Sequence, residues 1–279
     1  MGRMKCFPVT IAALAVAAVA GLGSCGSDEP STSSEPASRQ PTSKAEPSAG
    51  PTGAGGDGTS RGGERVPQTP LAGAPDPSSF SAVVDNPYLP YLPGSRWVYR
   101  SSSPDEETRI VTTVTDRTRV VQGVTCVVVH DVESTVDGEV LEDTYDWYAQ
   151  DDAGNVWYFG EDTTAYEDGK ASKEGSWEAG VDEAQAGVIM LARPHVGDAY
   201  QQEYYEGEAE DRGEVLAVDA RIGTVPARYG DLLETADTTP LEPNLVEHKY
   251  YAQGVGVVHE ETVKGGREQV ELVSAQVPD

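Results

Sequence analysis

The feature that most constrains the fold is a hydrophobic alternation of period two that runs from Phe80 onward. Val, Tyr, Thr and Trp are frequent in this region, and such alternation is typical of strands that bury one face. Helical periodicity is nearly absent, and Val181 to Ala192 is the one candidate for a short helix or a packed loop. The sequence therefore predicts a mainly β domain over residues 76–279.

Turn-forming sequences such as Asp137-Gly138 and Gly265-Gly266 divide this region into about ten strands. Val124 to Val129 is apolar on both faces, which predicts a central strand. A twisted sheet of that size tends to curl. We therefore expect a curved antiparallel sheet, either a half-barrel or an open barrel, with a sandwich as the alternative. The predicted strands begin at Trp97, Arg109, Val124, Glu139, Val156, Tyr200, Glu214, Asp231, Leu245, Val257 and Glu268.

Two segments suggest that the domain contains an internal duplication. Gly94 to Trp97 resembles Gly197 to Tyr200, and Trp147 to Gln150 resembles Tyr250 to Gln253, with both pairs 103 positions apart. We therefore predict two similar meanders of about five strands each, covering about 88–190 and 191–279.

The N-terminus has the layout of a secretory signal. Arg3 and Lys5 precede an apolar run from Phe7 to Ala20, which is shorter than the roughly 20 residues of a membrane-spanning helix. Leu22-Gly23-Ser24-Cys25 follows and resembles the bacterial lipobox. This resemblance implies a lipoprotein signal peptide over residues 1–24 and lipid attachment, including palmitate, at Cys25.

Cleavage after Ala20 is the alternative, because Ala18-Val19-Ala20 also has the form of a signal-peptidase site. The protein would then be secreted with Cys25 free. Residues 25–75 are rich in Ser, Pro and Gly and carry too few apolar side chains for a core, so we predict a disordered linker. With lipid at Cys25, the domain would be tethered to a membrane and would face outside the cytoplasm.

The charge of the chain limits its partners. The net charge is -27, and residues 76–279 hold the whole excess, with 14 Lys and Arg against 41 Asp and Glu. Such a surface repels phosphate backbones, so we expect no nucleic-acid partner. Solubility and attraction of cations or basic partners both remain open as explanations. The sequence identifies no protein partner.

Two motifs point to a known group of proteins. Asp85-Asn86-Pro87-Tyr88-Leu89-Pro90, followed by Pro93-Gly94-Ser95-Arg96-Trp97-Val98-Tyr99, resembles the opening of a family of uncharacterised exported bacterial lipoproteins. Tyr250 to Val258 is similar to an aromatic-x-x-Gly-Val-Gly segment of that family. The resemblance implies a sheet similar to lipoprotein-carrier half-barrels, whose concave face holds acyl chains. It supplies no activity.

Catalytic and metal-binding patterns are missing from the sequence. The four His residues are not spaced as in His-Glu-x-x-His, and no nucleophile elbow or phosphate loop is present. Asp151 to Asn155 lacks the alternating acidic ligands of a calcium loop and predicts a hairpin turn. Cys126 is predicted to be a small buried hydrophobic residue. We expect no catalytic residues, no metal and no cofactor.

Aromatic residues give the remaining functional hypothesis. They could pack a core, or they could line a ligand-binding cleft with Val181 to Ala192 as its lid. We therefore expect a lipid-anchored, non-enzymatic binding module for an apolar or amphipathic ligand such as a lipid. The alternatives are an envelope interaction or structural module with a solid core, or a carbohydrate-active enzyme. The cleft residues of the first hypothesis would be Trp97, Tyr99, Trp147, Trp157 and Tyr204.

Overall fold

Alternating side chains place more than half of the described residues in antiparallel strands, as the sequence predicts. The structure, a computed structural model, describes residues 76–167, 169–226 and 229–278. The predicted signal peptide, Cys25 and the linker lie outside the described residues. A 3₁₀ turn is formed at Pro77–Ser79. No helix in the described part of the chain has the length and hydropathy needed to cross a membrane.

The described residues form sixteen strands, which is more than the predicted ten. The sequence analysis missed strands of two or three residues, because so short a run carries no detectable alternation. The strands are β1 (Phe80–Ser81), β2 (Arg96–Ser102), β3 (Glu107–Val121), β4 (Val124–Thr135), β5 (Val140–Asp151), β6 (Val156–Glu167), β7 (Lys170–Ser172), β8 (Trp177–Glu178), β9 (Gln185–Met190), β10 (Ala199–Gln201), β11 (Glu203–Tyr204), β12 (Arg212–Ala220), β13 (Leu232–Thr238), β14 (Val246–Ala252), β15 (Gly256–Lys264) and β16 (Gln269–Gln276).

The strands form one curved sheet in the order β10-β12-β13-β14-β15-β16-β2-β3-β4-β5-β6-β9-β11. The short strands β1, β7 and β8 pair at its sides. β4 lies between β3 and β5 and is buried on both faces, which confirms the prediction of a central strand.

A single chain segment joins the two ends of this sheet. In β10, Tyr200 pairs with Gly213 of β12, whereas Glu203 of β11 pairs with Ala186 of β9. Gly187 permits the close approach, because a Cβ atom there would lie 2.5 Å from the carbonyl oxygen of Gln201. The sheet is therefore nearly closed into a barrel.

The segment Val181 to Ala192 differs from the prediction of a short helix, loop or lid. Residues Gln185–Met190 form strand β9, which pairs with β6 through Trp157 and Val188. Its side chains are mostly buried. An apolar run of this length fits a buried strand as well as a packed loop, and pairing with β6 decides between them.

Two runs of six strands follow each other in the sheet. The first meander consists of β2, β3, β4, β5, β6 and β9, and the second of β10, β12, β13, β14, β15 and β16. Within each meander the strands pair in chain order. Because the order is the same in both, the Gly-x-x-aromatic segments precede equivalent first strands.

The turns before these first strands have the same hydrogen bonds. Gly94 and Gly197 both have φ of +90°. The Gly94 amide donates to the Val114 carbonyl oxygen at 2.9 Å, and the Gly197 amide donates to that of Val215 at 2.9 Å. This agreement is what a duplicated unit would produce, and common descent of the two meanders stays a prediction.

The proline-rich segment before β2 covers one end of the sheet. Tyr91 is buried, and its ring packs 5.7 Å from that of Trp97 and 5.0 Å from that of Tyr148. The buried Asn86 side chain donates to the Gly154 carbonyl oxygen at 3.0 Å. Because proline blocks strand pairing, this segment contributes side chains to the core instead of joining the sheet.

Candidate functional site

The interior of the sheet is the candidate site, and strand alternation determines which side chains reach it. In β2, Trp97 and Tyr99 are buried, whereas Arg96 and Arg100 on the other face are exposed. The pairing registers extend this inner face across the sheet, since residues that are directly opposite each other share a face.

Polarity changes along the inner face from one end of the strands to the other. In β4, the inward residues run from Val127 and Val129 to Asp131 and Glu133. In the antiparallel neighbour β5 the order is reversed, so Asp131 lies opposite Thr144, and Val127 lies opposite Tyr148. The interior therefore has an apolar end and an acidic end.

Aromatic side chains fill the apolar end. The rings of Tyr148 and Tyr158 stack at 4.9 Å, and Trp177 packs edge-on to Tyr158 at 5.3 Å. The indole N–H of Trp97 donates to the Val255 carbonyl oxygen at 2.6 Å. The Tyr99 hydroxyl donates to that of Val257 at 3.3 Å. These bonds satisfy the polar atoms that the rings carry into the core.

The predicted cleft residues do not share one surface. Trp97 and Tyr99 face the interior and are 1% and 2% exposed. Trp147, 4% exposed, lies on the opposite face of β5 from Tyr148, and the Arg119 guanidinium covers its ring at 4.0 Å.

The two remaining residues of the predicted cleft are half-buried. Trp157 packs against Phe80 and donates to the Asp151 carboxylate at 2.9 Å, whereas Tyr204 lies in β11. Ligand contact by the five cleft residues stays a prediction. The three that are buried could contact a ligand only if the surrounding side chains moved.

A tyrosine hydroxyl bridges two buried carboxyl groups in the first meander. The Tyr158 hydroxyl lies 2.8 Å from Asp146 Oδ1 and 3.1 Å from Glu161 Oε2. A phenol carries one hydrogen, so it can donate to only one of these oxygens. The other contact is a hydrogen bond only if that carboxyl group carries a proton. The geometry therefore calls for a protonated acid at Asp146 or Glu161.

Burial explains why these acids hold protons. Loss of hydration raises the pKa of Asp146 and of Glu161 well above the usual values. Repulsion from Asp131 adds to the rise at Asp146, and repulsion from Asp146 adds to the rise at Glu161. The same desolvation raises the pKa of Asp131 to about 7 and that of Glu133 to about 8. Hydrogen bonds from Thr112 and Thr108 oppose these rises only in part, while repulsion from Glu142 adds to them.

In the second meander an ammonium group compensates part of the buried acidic charge. Lys249 is the only buried Lys or Arg among the described residues. Its Nζ lies 2.9 Å from Asp237 Oδ2 and 4.0 Å from Glu260 Oε2. Burial acts to lower the pKa of Lys249, but attraction by Asp237 and Glu260 outweighs it, and the net shift is upward. Lys249 is therefore charged in the folded protein.

A small cavity lies beside this ion pair at the acidic end. The volume that the centre of a water molecule could occupy is about 10 Å³, so the cavity has room for roughly one water molecule. The Asp211 side chain lines the cavity and is buried, yet neither carboxylate oxygen has a hydrogen bond of normal geometry within the described chain. Thr239 is close enough to lower the pKa of Asp211, but desolvation dominates and raises it to about 8. The cavity is lined by Asp211, Asp237, Thr238, Thr239, Leu245 and Glu247.

Sequence reasoning did not identify these interior residues. It predicted that Asp143 and Asp146 point to opposite faces, and the contacts agree: Asp143 pairs with the half-exposed His130 at 3.1 Å, whereas Asp146 is buried. With 41 acidic residues in the domain, alternation alone does not distinguish buried carboxylates from exposed ones. The one available signal was Lys249, a lone cation in an aromatic strand, and it was missed.

Two other predictions can be compared with the structure. Cys126 is fully buried, and desolvation raises the pKa of its thiol to about 12, so it is the small buried residue that we predicted. Asp151 and Asn155 close a hairpin turn, in which Asp151 Oδ1 accepts from the Asn155 amide at 2.8 Å. Across the described ranges, no three His, Cys, Asp or Glu side chains are arranged to hold a metal ion.

Comparisons with known proteins reveal two distant similarities. No protein-family model and no curated protein matches the chain. A Bacteroides fragilis protein described as exported, with a YmcC-like fold, is 14% identical, with a TM-score of 0.40. A Parabacteroides distasonis protein described as a lipoprotein is 12% identical, also with a TM-score of 0.40. Each alignment covers 68% of this chain and 98% of the other. Both similarities are too distant to identify a function.

Proposed function

We propose that this protein is a lipid-anchored extracytoplasmic interaction module whose β domain has a filled interior. The N-terminal lipobox-like sequence supports export and anchoring through Cys25. We favour an interaction module over a carrier because the aromatic side chains at the apolar end are buried.

A carrier needs inner-face side chains that its ligand can touch. Small-molecule sites usually have volumes of about 300–1,000 Å³ and apolar walls. Trp97, Tyr99 and Tyr158 are the inner-face aromatics best placed to form such a wall, and each is at most 2% exposed. Tyr91 of the proline-rich segment packs against Trp97, and Tyr148 and Trp177 pack against Tyr158. A filled core favours binding through the outer surface and the rims of the sheet.

Native mass spectrometry of the full-length protein, purified from membranes in detergent, tests this proposal. We expect a mass that exceeds the mature chain only by covalent lipid at Cys25. Cys25→Ala should lose that lipid and leave the membrane fraction, and the matched variant Cys126→Ala should keep it.

Two outcomes would contradict the proposal. A non-covalent lipid that binds stoichiometrically and persists in Cys25→Ala would identify a carrier and overturn the filled-core module. An unmodified Cys25 thiol in the protein from membranes would overturn lipid anchoring.

A further inference from the structure

The cavity beside Lys249 has an excess of negative charge. Four inward carboxyl groups belong to this region, and Lys249 supplies one ammonium group against them. Lys249 Nζ reaches Asp237 and Glu260, and neither contact involves Asp211. The four carboxyl groups are those of Asp211, Asp237, Glu247 and Glu260.

Asp211 supplies an unused pair of acceptors. It is 2% exposed, and both of its carboxylate oxygens lack a hydrogen bond of normal geometry in the described part of the chain. Buried carboxylates are ordinarily paired, because an uncompensated one costs several kcal/mol. Glu247 lines the same cavity and accepts one long bond, from the Thr262 hydroxyl at 3.3 Å. The cavity therefore has acceptors for a donor that the described residues do not provide.

The size of the space limits what that donor can be. A cavity that holds one water molecule can also hold a single –NH₃⁺ group. The three hydrogens of that group bond to acceptor atoms that lie about 2.7–3.2 Å from the nitrogen. A guanidinium group is planar and carries three nitrogens, so it needs a wider slot. The outer wall consists of exposed Thr238 and half-buried Leu245, against which a methylene chain could pack. The dimensions fit an amine that enters from solvent.

We propose that this cavity binds a primary ammonium group, as presented by a lysine side chain of a basic partner protein. The proposal rests on the proposed function of an interaction module and names the chemistry of its partner. Lys249 provides a precedent within the same cluster, since its ammonium group already pairs with Asp237 from the interior. The excess of 41 acidic over 14 basic residues in the domain would attract such a partner.

Binding should strengthen as the pH rises. Burial raises the pKa of Asp211 to about 8, so an incoming ammonium group must displace its proton at neutral pH. Lys249, Asp237 and Glu247 face Asp211, and repulsion from the two acids opposes the attraction of the lysine. The buried acids Glu203 and Glu161 also interact with Asp211 and add to the repulsion. A lysine amine keeps its charge up to about pH 10, so the proton is released by the protein.

Titration calorimetry of the full-length protein in detergent, at low ionic strength, tests the proposal. The probe is the peptide N-acetyl-Gly-Lys-Gly-amide, with the arginine and Nε-acetyl-lysine peptides and CaCl₂ as comparisons. We expect the lysine peptide to bind with a dissociation constant on the order of 1 mM and to bind more tightly at pH 9 than at pH 6. The arginine and acetyl-lysine peptides should not bind.

Asp211→Asn should weaken binding by about ten- to a hundred-fold, because it removes the charged acceptor without changing the size of the side chain. Asp219→Asn, at an exposed position of β12, the strand that directly follows Asp211, makes the same change in net charge and should leave binding unaltered. Equal weakening by both variants would mean that only net charge attracts the peptide, and would overturn the cavity as the site.

Other results would also contradict this inference. Equal binding of the arginine peptide, or binding of CaCl₂ alone, would replace the ammonium site with a general cation or metal site. The lysine peptide could fail to bind while native mass spectrometry shows no non-covalent lipid. That result would reject the cavity as an ammonium site but would leave the proposed interaction module intact. If non-covalent lipid is bound and the lysine peptide still binds, the filled-core module would be rejected and the ammonium site would stand.

Discussion

The two meanders bury acidic side chains at the same end of the sheet but compensate them differently. In the first meander, the Tyr158 hydroxyl lies between Asp146 and Glu161, and the geometry requires a bound proton. In the second, the Lys249 ammonium pairs with Asp237. One strand arrangement therefore tolerates buried acids either by keeping them neutral or by pairing them. The two choices differ in how stability depends on pH and on single charges.

Removal of the one buried ammonium should have the largest effect. Lys249→Met retains most of the side-chain volume but leaves Asp237 and Glu260 without their cation. We expect a loss of about 3–5 kcal/mol in the free energy of unfolding at pH 7, measured by urea denaturation. Lys264→Met at the exposed end of β15 is the control and should cost little. A small loss in Lys249→Met would mean that the ammonium group does not compensate Asp237 and Glu260, and that bound protons neutralise them as they do Asp211.

The pH dependence of stability tests the first meander next. Burial raises the pKa of Asp131 to about 7 and that of Glu133 to about 8, both from ordinary values near 4. Between about pH 4 and 8 the folded protein holds protons that the unfolded chain has lost, so stability falls as the pH rises. We expect a decrease on the order of 3 kcal/mol from pH 5 to pH 8 in urea titrations. Stability that rose over this range would refute protonated interior acids.

Glu161→Gln should remove part of that pH dependence. The amide has the shape of a protonated acid and needs no proton to be neutral, so it should stabilise the protein by about 1–3 kcal/mol at pH 7. The gain should vanish near pH 4, where the unfolded chain also holds its proton. Glu167→Gln, at an exposed position of the same strand, should change neither value. Destabilisation of Glu161→Gln at pH 7 would indicate that Glu161 is ionised.

The smallest effect should come from the turns that begin the two meanders. Gly94 and Gly197 share φ of +90° and the same hydrogen bond, and a Cβ atom at either has no neighbour closer than 3.9 Å. Alanine at either position should therefore cost only the strain of its backbone, about 1–2 kcal/mol. Thermal unfolding of both variants should give similar losses. A large difference between them would break the equivalence of the two turns.

The strand alternation gave reliable information on local structure. The starts of the longer strands lie within about two residues of the predictions, because side-chain alternation and turn residues are written directly in the local sequence. Opposite orientation of Asp143 and Asp146 followed from the same alternation. The short strands β7, β8 and β11 were missed because their pairing partners, and not their own residues, place them in the sheet.

The candidate site was beyond such local reasoning. Asp211 and Glu247 are 36 positions apart in the sequence and line one cavity only because β12, β13 and β14 are neighbours in the sheet. Nothing near Asp211 in the sequence separates it from Glu208, which is exposed three positions earlier. Burial of a particular acid depends on sheet closure, and closure requires the pairing of β16 with β2, which lie far apart in the sequence.

By itself, the sequence determined a mainly β domain with antiparallel strands, two meanders in similar order, and a central strand containing Cys126. It did so because periodicity and turn chemistry act over a few residues. Tertiary structure alone decided that the aromatic residues fill an apolar end, that acids gather at the opposite end, and that Lys249 neutralises only some of them. The physical reason is that desolvation and charge pairing depend on which distant strands meet, and the energy of a carboxylate changes far more with its surroundings than with its neighbours in sequence.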